Sequence, residues 1–303
     1  MKLEDIGKRY VYEKVLAPTT ITSYTRKAML FDESIEYSSI ENLTQDDVFQ
    51  WRDKLIQKGV RATSINSYIR HCRVLWQFAF EKGWVENQVV FNIRRLPEIK
   101  IKKTISNASL ECVKNCFSAD DYGCAWFWLT VFTFQSETGI RNAQLVNIKA
   151  KDINLNEGTL FCSPQGSKTN TGNELPLTQN IINAMVQYFK HSRKMLGRNL
   201  QPDDFLFEIA RYDRKFKLYS DGMSVAQLHG SYRKLSKVLM RKTGERISGH
   251  RLRHTLATKI GSQSNVNIRV VQEFFGWSSI QTAQNYIQVG LSQKRELISI
   301  LQE

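Results

Sequence analysis

Two neighbouring stretches carry the reading of this chain: Ser248 to Ile260, SGHRLRHTLATKI, and Phe275 to Val289, FGWSSIQTAQNYIQV. Ser248 and Gly249 precede a helical pattern in which His250, Arg253, His254 and Ala257 recur at i, i+3, i+4 and i+7, while Leu252 and Leu256 point to another side. One face is therefore polar and cationic. Two imidazoles beside a guanidinium are poor core filler, because buried histidines need partners and a nearby cation disfavours their protonation. Trp277 and Tyr286 follow about one helix further on. Together these groups suggest phosphoryl-transfer chemistry on a nucleic-acid backbone. A metal pair is the competing reading for His250 and His254 at i, i+4. It lacks the glutamate of an H-E-x-x-H helix, and Arg251 and Arg253 would repel a cation.

Composition is consistent with a polyanionic partner. The 303 residues include 43 Lys and Arg against 29 Asp and Glu, a formal charge of +14. Such an excess favours a phosphate backbone, because each neutralised phosphate releases counterions; a merely basic soluble protein is the bland alternative. The basic residues run through the whole chain, so no polybasic tail explains the total. No apolar run approaches the roughly 18 residues that span a bilayer, and the N-terminus MKLEDIGKRYVYEK lacks the apolar core of a signal peptide. A cytoplasmic protein with no membrane partner is expected. The five cysteines, Cys72, Cys112, Cys116, Cys124 and Cys162, form no C-x2-C pair and read as packing residues in a reducing compartment.

The preceding chain reads as two domains. Helical patterns begin after Pro18, at Thr44 with a capping threonine and an acidic first turn, and at Thr63, ending at Gly83. The third carries Ile65, Ile69, Leu75 and Phe78 on one side and Arg70, His71, Arg73 and Lys82 on the other. Residues 1–95 thus read as a compact helical domain with a basic face, and 96–105 as a basic linker. Residues 106–303 form the second domain. Its helices are expected over Ala108–Phe117, Tyr122–Ser136, Thr178–Leu196 and Ser224–Lys242, and Arg141 opens a short helix after the break at Gly139. One hairpin is expected, TLFCSP and NELPLT flanking QGSKTNTG, with Lys168 as the basic residue of its turn. A solvated turn lysine and a surface arginine are the ordinary readings of those two residues in isolation.

In order along the chain these groups resemble a tyrosine recombinase of the phage-integrase family. The matching positions are Arg141 in TGIRNAQL, Lys168 in GSKTNTGNELPL, His250 and Arg253 in HRLRH, Trp277 in FFGWSS and Tyr286 in QTAQNYIQ. The N-terminal helices, above all TSINSYIRHCRVLWQFAFEKG, are similar to the family's SAM-like core-binding domain. The resemblance implies a mainly α fold with a small antiparallel β-sheet, pairing a helical core-binding domain with a mixed α/β catalytic domain. It also implies a recombinase that cleaves and rejoins double-stranded DNA through a 3′-phosphotyrosine, needing no metal, cofactor or ATP.

The resemblance also implies a role for each residue. Arg141 and Arg253 would hold non-bridging oxygens of the pentacoordinate transition state, since each offers paired planar donors. Tyr286 would be the nucleophile and His250 the acceptor of its proton. Lys168 would protonate the leaving 5′-oxygen, and Trp277 would donate its indole N–H or brace the pocket. Arg251 reads as a phosphate-positioning or surface residue and His254 as a buttress of the helix. Four protomers would act on two DNA sites through a Holliday junction, with accessory DNA-bending or directionality proteins as further partners. The terminal SQKRELISILQE reads as an amphipathic helix for docking on a neighbouring subunit or on its own domain. The chain begins almost at the core-binding helices, so a separate arm-binding domain is not expected. Gln144 departs from the family, which usually has an acid three residues beyond the first arginine. A silent DNA-binding homologue and a type IB topoisomerase are the competing readings.

Overall fold

The computed structural model describes residues 1–98, 104–118, 124–164, 172–212, 225–263 and 266–287. Lys168 and its turn, half of the expected linker and the C-terminal amphipathic stretch lie outside these residues. The chain divides into two units, Met1–Ile101 and Lys102–Glu303.

The first unit is built from α1 (Leu3–Glu13), α2 (Pro18–Asp32), α3 (Gln45–Gln57) and α4 (Ala62–Glu81). Helix α1 goes beyond the sequence expectation. Leu3, Ile6 and Tyr10 recur at i, i+3 and i+7, with Gly7 on the same buried side. Gly7 lets α1 lie close to its neighbours: a Cβ there would touch Ala28 and Leu75, each at 3.5 Å. Thr44 caps α3 by accepting from the Asp47 amide, and the Asp47 carboxylate accepts from the Thr44 amide in return. Phe31, Trp51, Trp76 and Phe91 fill the core between these helices.

The expected basic face of α4 is rearranged. Arg73 donates to the carbonyls of Phe91 and Ile93 at 3.0 Å each, fastening the segment after α4, and Lys82 pairs with Glu13 of α1. Lys27 of α2 joins Arg70 and His71 instead. Its ammonium lies 2.8 Å from Ser23 Oγ and 3.1 Å from His71 Nε2, with no acid among these partners. Burial, followed by the charge of Arg70, holds Lys27 below the usual lysine range.

The second unit contains α5 (Asn107–Ser118), α6 (Ala125–Thr138) and α7 (Asn142–Leu145), then a three-stranded antiparallel sheet. Its strands are β1 (Ile153–Asn154), β2 (Thr159–Cys162) and β3 (Asn173–Pro176), in the order β1-β2-β3. There follow α8 (Gln179–Leu196), α9 (Val225–Thr243), α10 (Gly249–Gly261), α11 (Ile268–Phe274) and α12 (Ile280–Gln284). The hairpin expected from the sequence is the β2-β3 pair, with Leu160 opposite Leu175 on the buried face. Helix α6 is apolar nearly all round, as befits a helix enclosed by others; it packs against α5, α8 and α10. The fold is thus mainly α with a small antiparallel sheet, as expected. No described helix is long and apolar enough to cross a membrane.

Candidate active site

The site forms where the C-terminal end of α6, the body of α10 and the segment after α11 meet. Helix α6 stops at Gly139, whose φ of +62° is left-handed. A side chain there would be strained, and its Cβ would come within 2.7 Å of Phe275. The turn exposes the Gly139 carbonyl and brings Arg141 to the N-cap of α7. Ser248 caps α10 by accepting from the Arg251 amide, which sets the rotation of the HRLRH face.

Arg253 is only 7% exposed. Its Nη1 donates to the Gly139 carbonyl at 2.7 Å and its Nη2 to the Phe275 carbonyl at 2.5 Å. Arg141 donates to the same Phe275 carbonyl at 3.4 Å and to that of Gly276 at 3.1 Å. Two guanidinium groups therefore converge on one main-chain oxygen, held by carbonyl dipoles rather than by carboxylates. Burial, then the positive charge of Arg141, weakens the hold of Arg253 on its proton; burial does the same to Arg141. Among the described residues no carboxylate pairs with either guanidinium, so the two form a positive site suited to an anion that offers two oxygens. Gln144 lines the cleft beside Arg253, together with Thr138, Cys162 and Asn173. It adds polarity there without negative charge.

An aromatic stack flanks the arginines. Phe275 and Trp277 lie 4.7 Å apart, and Trp277 lies almost flat on Tyr286, with centroids 5.0 Å apart and planes 6° from parallel. The Arg253 guanidinium sits over Phe275 and Trp277 at 5.0 and 5.5 Å. The Trp277 segment is closed by reciprocal bonds with Gln272: the Trp277 amide donates to the Gln272 carbonyl, and Gln272 Nε2 to the Trp277 carbonyl. Tyr286 follows α12 and is half-buried. Burial raises its pKa above the usual 10, partly offset by Arg253.

The tyrosine meets a different histidine from the one expected. Its hydroxyl lies 2.7 Å from His254 Nδ1, and His254 Nε2 lies 2.9 Å from Nε2 of the exposed His250. His250 is thus second in line from the phenol, with His254 between them. The reason is the direction of approach. The Tyr286 backbone packs on Gly261 at the C-terminal end of α10, where a Cβ would sit 2.4 Å from the Tyr286 carbonyl oxygen. A phenol arriving from that end reaches the later histidine first. The i, i+4 spacing of the histidines was a visible signal that they could act together, but not of which one faces the tyrosine.

Arg141, His250, Arg253, Trp277 and Tyr286 are thus gathered in one region. Lys168 lies outside the described residues, although Asn173, at the start of β3, donates to the Glu273 carbonyl and ties its strand to α11. The carbonyl ledge of Gly139, Phe275 and Gly276 left no trace in the sequence beyond the glycines themselves. Among the described residues no cluster of His, Cys, Asp and Glu could hold a metal ion.

Comparison with known proteins gives two family matches. The phage integrase family matches residues 101–292, and the N-terminal SAM-like domain of phage integrases matches residues 8–83. A putative tyrosine recombinase XerC from Pseudomonas aeruginosa is 26% identical over 275 residues, covering 86% of this chain. The chain spans 62% of that relative's length. Among solved structures, the integrase of transposon Tn1549 in complex with a circular intermediate DNA superposes with a TM-score of 0.81 at 16% identity, covering 99% of both chains. A lambda integrase tetramer bound to a Holliday junction superposes with a TM-score of 0.70 at 17% identity, covering 94% of this chain and 76% of the other. At these identities the likeness is one of fold.

Proposed function

The chain belongs to the phage integrase family, and from that premise we propose that it is a site-specific DNA recombinase that cleaves and rejoins strands through a 3′-phosphotyrosine on Tyr286. The observation that carries this reading is the convergence of Arg141 and Arg253 on the Phe275 carbonyl, beside a tyrosine whose hydroxyl meets a histidine. A scissile phosphate would take the donors now spent on carbonyl oxygens. The two arginines would then neutralise its non-bridging oxygens as the pentacoordinate state forms. The Tyr286 oxygen attacks phosphorus, the P–O5′ bond breaks, and the phenolic proton passes to the histidines. Lys168 protonates the departing 5′-oxygen. Trp277 braces the nucleophile's ring. The phosphotyrosine keeps the bond energy, so a second strand's 5′-hydroxyl can reverse the step without ATP.

In this reading residues 1–95 grip the duplex, with Lys27 and Arg70 as a cationic patch beside the neutral His71, and residues 106–303 carry the chemistry. Four copies work on two sites through a Holliday junction, as the lambda integrase tetramer sits on such a junction. Accessory DNA-bending proteins set the direction, and the substrate assigns the work to the cytoplasmic nucleoid. The test uses nicked suicide duplexes whose sites this protein has selected from a randomised pool, in EDTA. A covalent adduct that disappears in Tyr286→Phe is the expected result. Binding without any adduct overturns the reading in favour of a silent DNA-binding homologue; site-independent relaxation of supercoils overturns it in favour of a topoisomerase.

A further inference from the structure

The two histidines of α10 form a chain that ends on the tyrosine. Two short contacts define it. At 2.7 Å the neutral phenol donates to His254 Nδ1 in the tautomer that carries the His254 proton on Nε2, the one from which Tyr286 can lose its proton. In that tautomer the Nε2–H of His254 donates across 2.9 Å to His250 Nε2, whose ring then carries its own proton on Nδ1. The reverse arrangement, His250 Nε2–H to His254 Nε2 and His254 Nδ1–H to the phenol oxygen, fits the same distances but leaves Tyr286 no acceptor; the productive direction runs from Tyr286 through His254 to His250.

The surroundings favour charge at the far end of this chain. His254 adjoins Arg253 in sequence and is half-buried, whereas His250 is exposed. A cation resting on His254 would lie half-buried against the ring of Tyr286, without full solvation. On His250 it is separated by a further ring and reaches water. Arg251, between them in sequence, turns its guanidinium toward the Arg246 carbonyl. The Trp277 stack holds the phenol ring nearly parallel to the indole, which restricts the direction of its O–H bond.

We propose that His254 is a catalytic residue that takes the proton of Tyr286 on Nδ1 while its own Nε2 proton passes to His250. This rests on Tyr286 being the nucleophile. In the step the phenolic O–H bond breaks and an N–H bond forms at His254 Nδ1. The His254 Nε2–H bond breaks and an N–H bond forms at His250 Nε2. His254 ends neutral as the other tautomer, His250 ends as the cation, and the phenolate electron pair becomes the new bond to phosphorus. Reversal of the chain returns the proton to Tyr286 when the strand is rejoined.

The experiment compares the full-length wild type with His254→Ala and His254→Asn on the same suicide duplexes, with and without added imidazole. Asparagine keeps a hydrogen-bonding group near the Nδ1 position but cannot accept a proton from the phenol. Both variants should bind the duplex as wild type does and form adduct about 10²- to 10⁴-fold more slowly. Imidazole should restore part of the rate to His254→Ala and none to His254→Asn. Wild-type rates in His254→Asn overturn the proposal, because a hydrogen bond would then suffice. Loss without rescue in His254→Ala, with Asn active, overturns it in favour of a packing role. A wild type that forms no adduct on any selected site fails the recombinase reading itself, and the proposal with it. A variant that does not fold is recognised by its melting curve. The measurement that then decides is nitrogen-15 NMR of the free wild type. His254 carrying its proton on Nε2 supports the chain, and a proton on Nδ1 overturns it.

Discussion

Arg253 is held on two edges and one face: carbonyls of Gly139 and Phe275 on the edges, and the rings of Phe275 and Trp277 beneath. A lysine would keep the charge but could not span two carbonyls or stack flat. Arg253→Lys is therefore expected to leave DNA binding intact and slow adduct formation by about 10²- to 10³-fold, measured on denaturing gels. Equal loss of binding and cleavage would mean that the residue grips DNA rather than the transition state. Tyr286 makes a second test at this scale. Burial holds its phenol protonated beyond the usual range, so the folded chain keeps a proton that the unfolded chain loses near pH 10. Its contribution to stability is fully present below pH 10 and is lost as pH rises through the higher folded value. The 295 nm difference spectrum between wild type and Tyr286→Phe should show a midpoint above 10; a midpoint below 10 would mean that Arg253 outweighs burial. Gln144 lines the same cleft as Arg253, so at this position the two arginines meet an uncharged amide rather than a carboxylate.

At the scale of elements, the site depends on how α10 receives the segment after α12. Gly261 makes the meeting possible, since a Cβ would lie 2.4 Å from the Tyr286 carbonyl oxygen and 2.8 Å from its carbon. Gly261→Ala must push the tyrosine away by about 1 Å, and misplacement on that scale costs about 10²-fold in rate. A large fall in adduct formation with a nearly unchanged melting temperature is expected; unchanged rates would show that the segment adapts without cost. Helices α3 and α4 were legible because their signals are local: Thr44 and the acidic first turn start α3, and Gly59 and Gly83, both at left-handed φ, end the two. Helix α1 was missed because its interior glycine lowers helix propensity, and only packing against α2 and α4 makes up for it. The hairpin was legible from its apolar flanks, whereas β1 is only two residues long and too short to leave a pattern.

The whole molecule carries a charge of +14 over two units. Binding to duplex DNA should therefore weaken steeply with salt, with about 0.9 added to the slope of log K against log salt for each phosphate contacted. Lys27→Ala should lower that slope by about one and weaken binding evenly across sequences, read by fluorescence anisotropy in a salt series. An unchanged slope would remove Lys27 from the DNA face. By itself, the sequence determined the helical class, the hairpin, the order of the functional groups and the face shared by His250, Arg253 and His254. These follow from periodicity, caps and breakers that act within a few residues. Only the tertiary structure decided that Arg73 fastens a loop while Lys27 joins the basic patch, that Arg253 is buried under an aromatic stack, and that Tyr286 meets His254 across 32 residues of chain. Periodicity assigns a residue to a face of its own helix. The depth and angle at which that face meets another element come from the packing of side chains remote in sequence, which no local pattern records.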